Sequence, residues 1–281
     1  MTTGAQEQIA DEAAAHAEEG FNVGELIMHH VTDSSVIEIP FTDKAIPLPS
    51  LEVMGFDISI TKHVVMMWIS AGVLLLAFGF AARQARDPVP RGLRGLLEMM
   101  IVFIRDEVVR KAIGHGADRY LGYLLTTFFF ILTCNLLGLL PGMSTPTGNI
   151  SVTAALAIMA FSMIQLAGIR EHGVVGHFRN VVPPGLPRLL LPIMIPIEIL
   201  GIFTKPFALC VRLFANMTAG HVVILSLICI IFILKTVFMA VVSVPFVLFI
   251  DCLEILIAVI QAFIFTMLTA LFIGMAAHPA H

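Results

Sequence analysis

Residues 189–232 read LLLPIMIPIEILGIFTKPFALCVRLFANMTAGHVVILSLICIIF, and residues 236–276 read TVFMAVVSVPFVLFIDCLEILIAVIQAFIFTMLTALFIGMA. Each run stays apolar for about 40 residues with no polar turn in its middle. A helix rises ~1.5 Å per residue, so either run as one helix would reach ~60 Å, twice the ~30 Å hydrocarbon core of a bilayer. Two solutions exist: two spans per run, or one steeply tilted helix per run. The pattern alone leaves both open, and the missing polar turn favours the tilted helix.

Upstream of this pair, His63–Ala82 is a 20-residue apolar segment that matches one bilayer crossing. It ends in Arg83, Arg86, Arg91 and Arg94, with Pro88 and Pro90 breaking the helix. Tyr120–Leu140 predicts a second span, closed by Pro141-Gly142, and Ile150–Ile169 a third. Residues 95–113 mix apolar positions with Glu98, Arg105, Asp106, Glu107, Arg110 and Lys111, which is too charged to cross and suits a helix lying at the interface. Residues 38–60, with Pro40, Pro47 and Pro49, predict an extended linker. Phe21–Thr32 predicts a short amphipathic helix containing His29 and His30, after a loosely helical Ala- and Glu-rich start. The expected fold is an all-α integral membrane protein: N-terminal spans, an interfacial amphipathic helix, and a C-terminal hairpin of two long steeply tilted helices. Three regions follow, with boundaries at 1–61 (acidic tail), 62–188 (three spans and the interfacial helix) and 189–281 (hairpin).

Composition agrees. The chain is 58% hydrophobic and 13% charged, against roughly 25% charged for a soluble domain, and its mean hydropathy is +0.95. Charge is segregated. Residues 1–60 carry eleven of the twenty acids but one of the sixteen bases, Lys44. With the tail outside, eleven bases fall on the inner side and three outside (Lys44, Lys62, Lys235), so the positive-inside rule puts the N-terminus outside. Cys134, Cys210, Cys229 and Cys252 all lie in apolar runs without a CxxC pair, which predicts small buried hydrophobes, neither disulfides nor metal ligands. No basic n-region precedes an apolar h-region at the N-terminus, so a secretory signal is not expected.

Ionisable groups in hydrocarbon cost several kcal/mol and mark function by default. The first three spans hold none, only Asn135 and Gln165, which read as helix–helix glue. The last two runs hold Glu198, Lys205, Arg212, His221, Asp251 and Glu254. Glu198, Lys205 and Arg212 are spaced by seven, one helical stripe drifting ~20° per step, and Asn216 lies one turn beyond. Glu254 and Gln261 are likewise seven apart, with Asp251 three before. Facing each other in a hairpin, the two stripes would line a wet path. Ala208, Ala215 and Ala219 flank Arg212, with Gly220 adjacent, so another backbone can approach closely. A guanidinium keeps its charge, and no carboxylate lies one turn from Arg212. The acid it needs comes from another chain, or in the plainer reading from Glu254 or Asp251. His221 is nine residues on, about 180° around the helix, and its imidazole suits proton handling near neutral pH. No HExxH, GxSxG or P-loop pattern occurs, so no nucleotide site, metal or other cofactor is expected, and no nucleic-acid partner.

The run Lys205-Pro-Phe-Ala-Leu-Cys-Val-Arg212-Leu-Phe-Ala-Asn216-Met-Thr-Ala-Gly220-His221 resembles the signature of the a subunit of F-type ATP synthases, where one essential arginine sits in an R-L-F-x-N-M-x-A-G setting. Glu254-Ile-Leu-Ile-Ala-Val-Ile-Gln261-Ala-Phe-Ile-Phe265 is similar to that family's last helix. Weaker matches are Ile27-Met-His29-His30, Asn135-Leu-Leu-Gly-Leu-Leu-Pro141 and Asn149-Ile-Ser-Val-Thr153. In the common bacterial pattern an acid occupies the position of His221 and a histidine that of Glu254; here the two are exchanged, as in mitochondrial relatives. The resemblance implies a proton-translocating stator subunit, not an enzyme by itself, in a bacterial inner membrane with its C-terminus cytoplasmic. It implies a proton path through Asn216, His221, Glu254 and Gln261, with Asp251, Glu198 and Lys205 beside it, Arg212 as the rotor-facing charge, and Ala208, Ala215, Ala219 and Gly220 packing against a ring of c subunits. The b-subunit peripheral stalk and the rest of the ATP synthase complex are the other implied partners, with the lipid bilayer around them. A self-contained secondary transporter is the alternative. It should show internal repeats and broken helices in matching halves, and the first half carries no intramembrane charge.

Overall fold

The computed structural model describes residues 36–38, 45–47, 52–53, 56–57, 59–83, 91–140, 143–180, 191–234 and 237–277. The short helix expected at 21–32 lies outside these residues, as do Arg86, Arg188 and Lys235.

Every crossing element is helical. Helix α1 spans Lys62–Arg83, α2 Gly92–Phe103, α3 Arg110–Ile113, α4 Ala117–Gly138, α5 Ile150–Asn180, α6 Leu191–Leu234 and α7 Val237–Ala277. Among the described residues five helices (α1, α4, α5, α6, α7) are long and apolar enough to cross a membrane. Their large apolar side chains point outward in number: Trp68, Leu75, Leu76, Phe203, Phe207 and Phe238 are all more than half exposed. In water such a surface would aggregate; in lipid it is the solvated face. The chain is an all-α integral membrane protein.

The two decisive runs each form one helix, of 44 and 41 residues. The alternative of two spans apiece falls, because no turn interrupts either run. Proline does occur inside them, at Pro196 and Pro206 in α6 and Pro245 in α7. The third span runs further than the sequence predicts. Helical turns continue past Arg170 to Asn180, with a break at Gly173 (φ 69°, ψ 169°), a left-handed conformation that glycine tolerates. Beyond the break the chain doubles back, so that His177 Nε2 lies 2.6 Å from Gln165 Oε1.

The charged segment folds as α2, a π-helical turn Ile104–Val109 and α3 in succession. Apolar Ile104, Val108 and Val109 go into the core, while Asp106 accepts from Arg105 Nε at 2.9 Å and Arg110 Nη1 at 3.0 Å on the exposed side. The Arg105 guanidinium holds the Asp106 carboxyl below the usual carboxylate range. The predicted linker is more regular than expected. Val36–Glu38 (β1) pairs antiparallel with Ala45–Pro47 (β2), and Glu52–Val53 (β3) with Phe56–Asp57 (β4).

Helix α7 is the hub, packing on α4, α5, α6 and α3. The core joins Leu124, Phe128 and Ile131 of α4, Ala160 and Ala167 of α5, Leu209 and Leu213 of α6, and Ala262, Phe265 and Ile273 of α7. Alanines at these crossings let the backbones approach, and dispersion between close helices replaces the hydrophobic drive that lipid cannot supply. Buried hydroxyls bond their own helix: Ser70 donates to Met66 O, Thr266 to Ala262 O and Thr269 to Phe265 O.

A polar seam beside an open arginine: the candidate functional site

Helix α6 has a covered face and an open one. Leu209, Cys210, Leu213 and Met217 are buried against the rest of the chain. Arg212 is exposed on the opposite side, with Ala208, Ala215 and Ala219 also exposed and Phe207 68% exposed. The alanine spacing therefore produces a shallow apolar strip with one guanidinium in it. Among the described residues no carboxylate lies within ion-pair distance of Arg212; neither Asp251 nor Glu254 reaches it. The plainer reading, an ion pair within the chain, is not what the structure adopts.

Along the edge of that strip runs a polar seam between α6 and α7. Asn216 Nδ2 donates to Gln261 Oε1 at 2.8 Å. Gln261 is almost wholly buried, so this bond fixes the amide. One turn further along α6, Glu254 lies against Gly220: a β-carbon built on Gly220 would fall 2.1 Å from Glu254 Oε1. Gly220 thus differs from the three alanines, since the space it leaves is filled by this chain's own carboxyl group. Glu254 Oε1 is buried without a hydrogen-bond partner. A buried carboxyl oxygen with no donor is costly and is a common mark of function.

His221 follows Gly220 and bonds through Nε2 to the Thr145 hydroxyl. Asp251 lies within electrostatic reach of both His221 and Glu254. His221, Asp251 and Glu254 thus gather at one end of the seam, beyond Asn216 from Arg212. The other end is looser. Lys205 Nζ sits 5.1 Å from the centroid of the Phe272 ring, a cation–π contact across the hairpin. Glu198 is half-buried and makes no ion pair with Lys205 among the described residues. The Glu198–Lys205–Arg212 stripe therefore splits, with Lys205 turned to α7 and Arg212 outward.

Asn135 acts as glue. It is fully buried, accepts from Thr147 Oγ1 at 2.7 Å and donates to Ala258 O at 3.4 Å. Gln165 differs: it is half-buried and bonds His177 of its own helix, tying down the turned-back end of α5. Cys134, Cys210 and Cys229 are buried free thiols, but Cys252 is exposed; its position on the outer face of α7 could not be read from an all-apolar run. Thr145, Thr147 and Phe272 carry contacts at the site that the sequence does not announce, because loop threonines and a phenylalanine in an apolar run have no periodic signal. Among the described residues no three His, Cys, Asp or Glu side chains gather as a metal-ligand set.

The family model "ATP synthase A chain" matches residues 64–274, which includes all five crossing helices nearly end to end. The chain is 53% identical over 260 residues to "ATP synthase subunit a" of Chloroherpeton thalassium, covering 90% of this chain and 77% of that one. It is 51% identical over 283 residues to "ATP synthase subunit a 2" of Prosthecochloris aestuarii, covering 98% and 86%. A more distant relative, "ATP synthase subunit a" of an Anaeromyxobacter species, is 44% identical over 98% of this chain. With the hairpin, the open arginine and the seam all inside the matched region, the chain belongs to the ATP synthase subunit a family.

Proposed function

We propose that the chain is the stator half of a rotary proton machine, in which protons reach and leave a ring of partner carboxylates through two half-channels that Arg212 keeps apart. The observation that carries this reading is Arg212 itself: an intramembrane cation, exposed on a strip of small residues, with no acid beside it among the described residues. Such a charge is costly in hydrocarbon, and a partner's carboxylate would supply the counter-charge.

On the side of the N-terminal tail, an aqueous half-channel lined by His221, Glu254, Asn216 and Gln261, with Asp251 beside it, would carry protons to a ring carboxylate. Once protonated, that carboxyl is neutral and can be carried into lipid cheaply. After nearly a full turn it meets the opposite half-channel, toward Lys205 and Glu198, and ionises. Arg212 favours the ionised form as each site passes, and its fixed charge opposes a proton running straight between the half-channels. Each proton delivers ~2.3 kcal/mol per 100 mV of membrane potential. ATP would be made on a separate soluble sector, since this chain carries no nucleotide motif.

Eleven bases on one side orient the chain with its N-terminus outside and its C-terminus in the cytoplasm of a bacterial cell. The exposed ion pairs of Arg105, Asp106, Glu107, Arg110 and Lys111 suit docking of the b-subunit peripheral stalk along α2 and α3. Tilt of α6 and α7 reconciles their length with the bilayer.

Replacing Arg212 with Ala and following ATP-driven acidification of inverted membrane vesicles tests the reading. Lost pumping with intact assembly by immunoblot and intact soluble ATPase supports it. Pumping at the wild-type level overturns it.

A further inference from the structure

His221 is held by a residue outside the hairpin. The segment 143–149 between α4 and α5 folds inward. Thr145 is 3% exposed and Thr147 is fully buried, with Thr147 bonded to Asn135 and Gly148 O accepting from Thr218 of α6 at 3.5 Å. Thr145 is seated still more closely. A β-carbon on Gly138 would fall 1.7 Å from Thr145 Oγ1, so the end of α4 leaves room for this hydroxyl. From that seat Oγ1 reaches Nε2 of His221 across 76 positions of sequence.

We infer that Thr145 is a positioning residue for His221, one that keeps the ring in place in both of its protonation states; this rests on the proton-path reading of His221. A hydroxyl donates and accepts. When Nε2 carries a lone pair, Thr145 donates to it. When Nε2 carries a proton, the same oxygen accepts, and its own hydrogen rotates to another acceptor. No covalent bond forms or breaks at Thr145 in either state. An amide nitrogen or a carbonyl in that place would hold one form and release the other. Asp251 of α7 is the charged group within electrostatic reach of His221, and Glu254 of α7 lies against the adjacent Gly220; residues 143–149 themselves carry no titratable side chain. The imidazole thus has a carboxylate within electrostatic reach and a hydroxyl in direct contact, and the hydroxyl is the one that does not itself titrate.

The test compares Thr145→Val, which keeps shape and loses the hydroxyl, with Thr145→Ser, which keeps the hydroxyl, in the assembled complex. ATP-driven pumping in inverted vesicles is measured across pH, with Arg212→Ala as reference. Thr145→Val is expected to pump about fivefold more slowly, the scale of one lost hydrogen bond, with the pH of half-maximal pumping displaced; Thr145→Ser is expected to keep the wild-type rate and profile. Equal slowing in both variants with an unmoved profile would mean that Thr145 only packs, and wild-type behaviour of Thr145→Val would mean that it does nothing; either overturns the inference while Arg212→Ala still abolishes pumping. If Arg212→Ala pumps normally, the proton-path reading fails first.

Discussion

The Asn216 side-chain amide donates to the Gln261 side-chain oxygen at 2.8 Å, which ties α6 to α7 one turn beyond Arg212. In membranes such an interhelical bond contributes about 0.6 kcal/mol on average and seldom above ~1.7. Gln261→Leu should therefore leave the detergent-solubilised chain folded, with a melting temperature only slightly lowered, while pumping falls by far more than stability. Asn216→Leu should do the same, and the double variant should pump no worse than either single one if the two amides act as one unit. A double variant much worse than both would show two separate roles.

Gly220 and Gly274 make different demands. At Gly220 the obstructing atom is the tip of the Glu254 side chain; at Gly274 it is Ala112 O, a backbone atom 2.1 Å from the would-be β-carbon. Gly220→Ala should assemble and lose pumping, because Glu254 moves aside. Shortening the carboxylate by one methylene, Glu254→Asp, should recover part of the loss in the double variant. Gly274→Ala should reduce assembly itself, with overpacking of about 1–3 kcal/mol. Immunoblots beside pumping assays separate the two outcomes.

Asn135→Leu removes an acceptor for Thr147 and a donor to Ala258 O, both in the interior. Unsatisfied buried polar groups cost about 1–3 kcal/mol. The variant should melt earlier in detergent, and Asn135→Leu with Thr147→Val, which removes both partners, should recover part of that loss.

The Arg105–Asp106–Arg110 cluster lies on the exposed side. Because the Asp106 carboxyl is held below its ordinary range by Arg105, whatever it adds to folding is present above the unfolded carboxylate pKa and fades as pH falls through the lowered one. At neutral pH, Asp106→Asn should leave the melting temperature of the isolated chain nearly unchanged. Loss of the peripheral stalk from the purified complex would then report docking at this surface.

Much of the fold is legible because the bilayer imposes it. Hydrocarbon thickness converts apolar run length into helix, and His63–Ala82 and Tyr120–Leu140 are recovered within a few residues as Lys62–Arg83 and Ala117–Gly138. Arg212, Asn216, Glu254 and Gln261 stand out since a polar residue in lipid must have a reason. What stays hidden depends on three-dimensional return. Gly173 reads as one more glycine until the chain is seen doubling back on Gln165. Thr145 meets His221 through an inward fold that no helical period encodes. The pairing of Glu254 with Gly220 requires the register of two helices, which seven-residue spacing on each helix alone does not set.

The prolines of α6 bear on its mechanics. Pro206 has no N–H for the carbonyl of Ile202, and Pro196 none for that of Pro192, so the hydrogen-bond ladder has two gaps in the first part of α6 and no proline-made gap from Phe207 to Leu234. Arg212 sits near the start of the uninterrupted portion. A sideways load on its guanidinium meets a stiff rod on one side and a compliant neck on the other. The helix should act as a leaf spring clamped by α7, yielding behind the charge as the load passes and returning it to the same place.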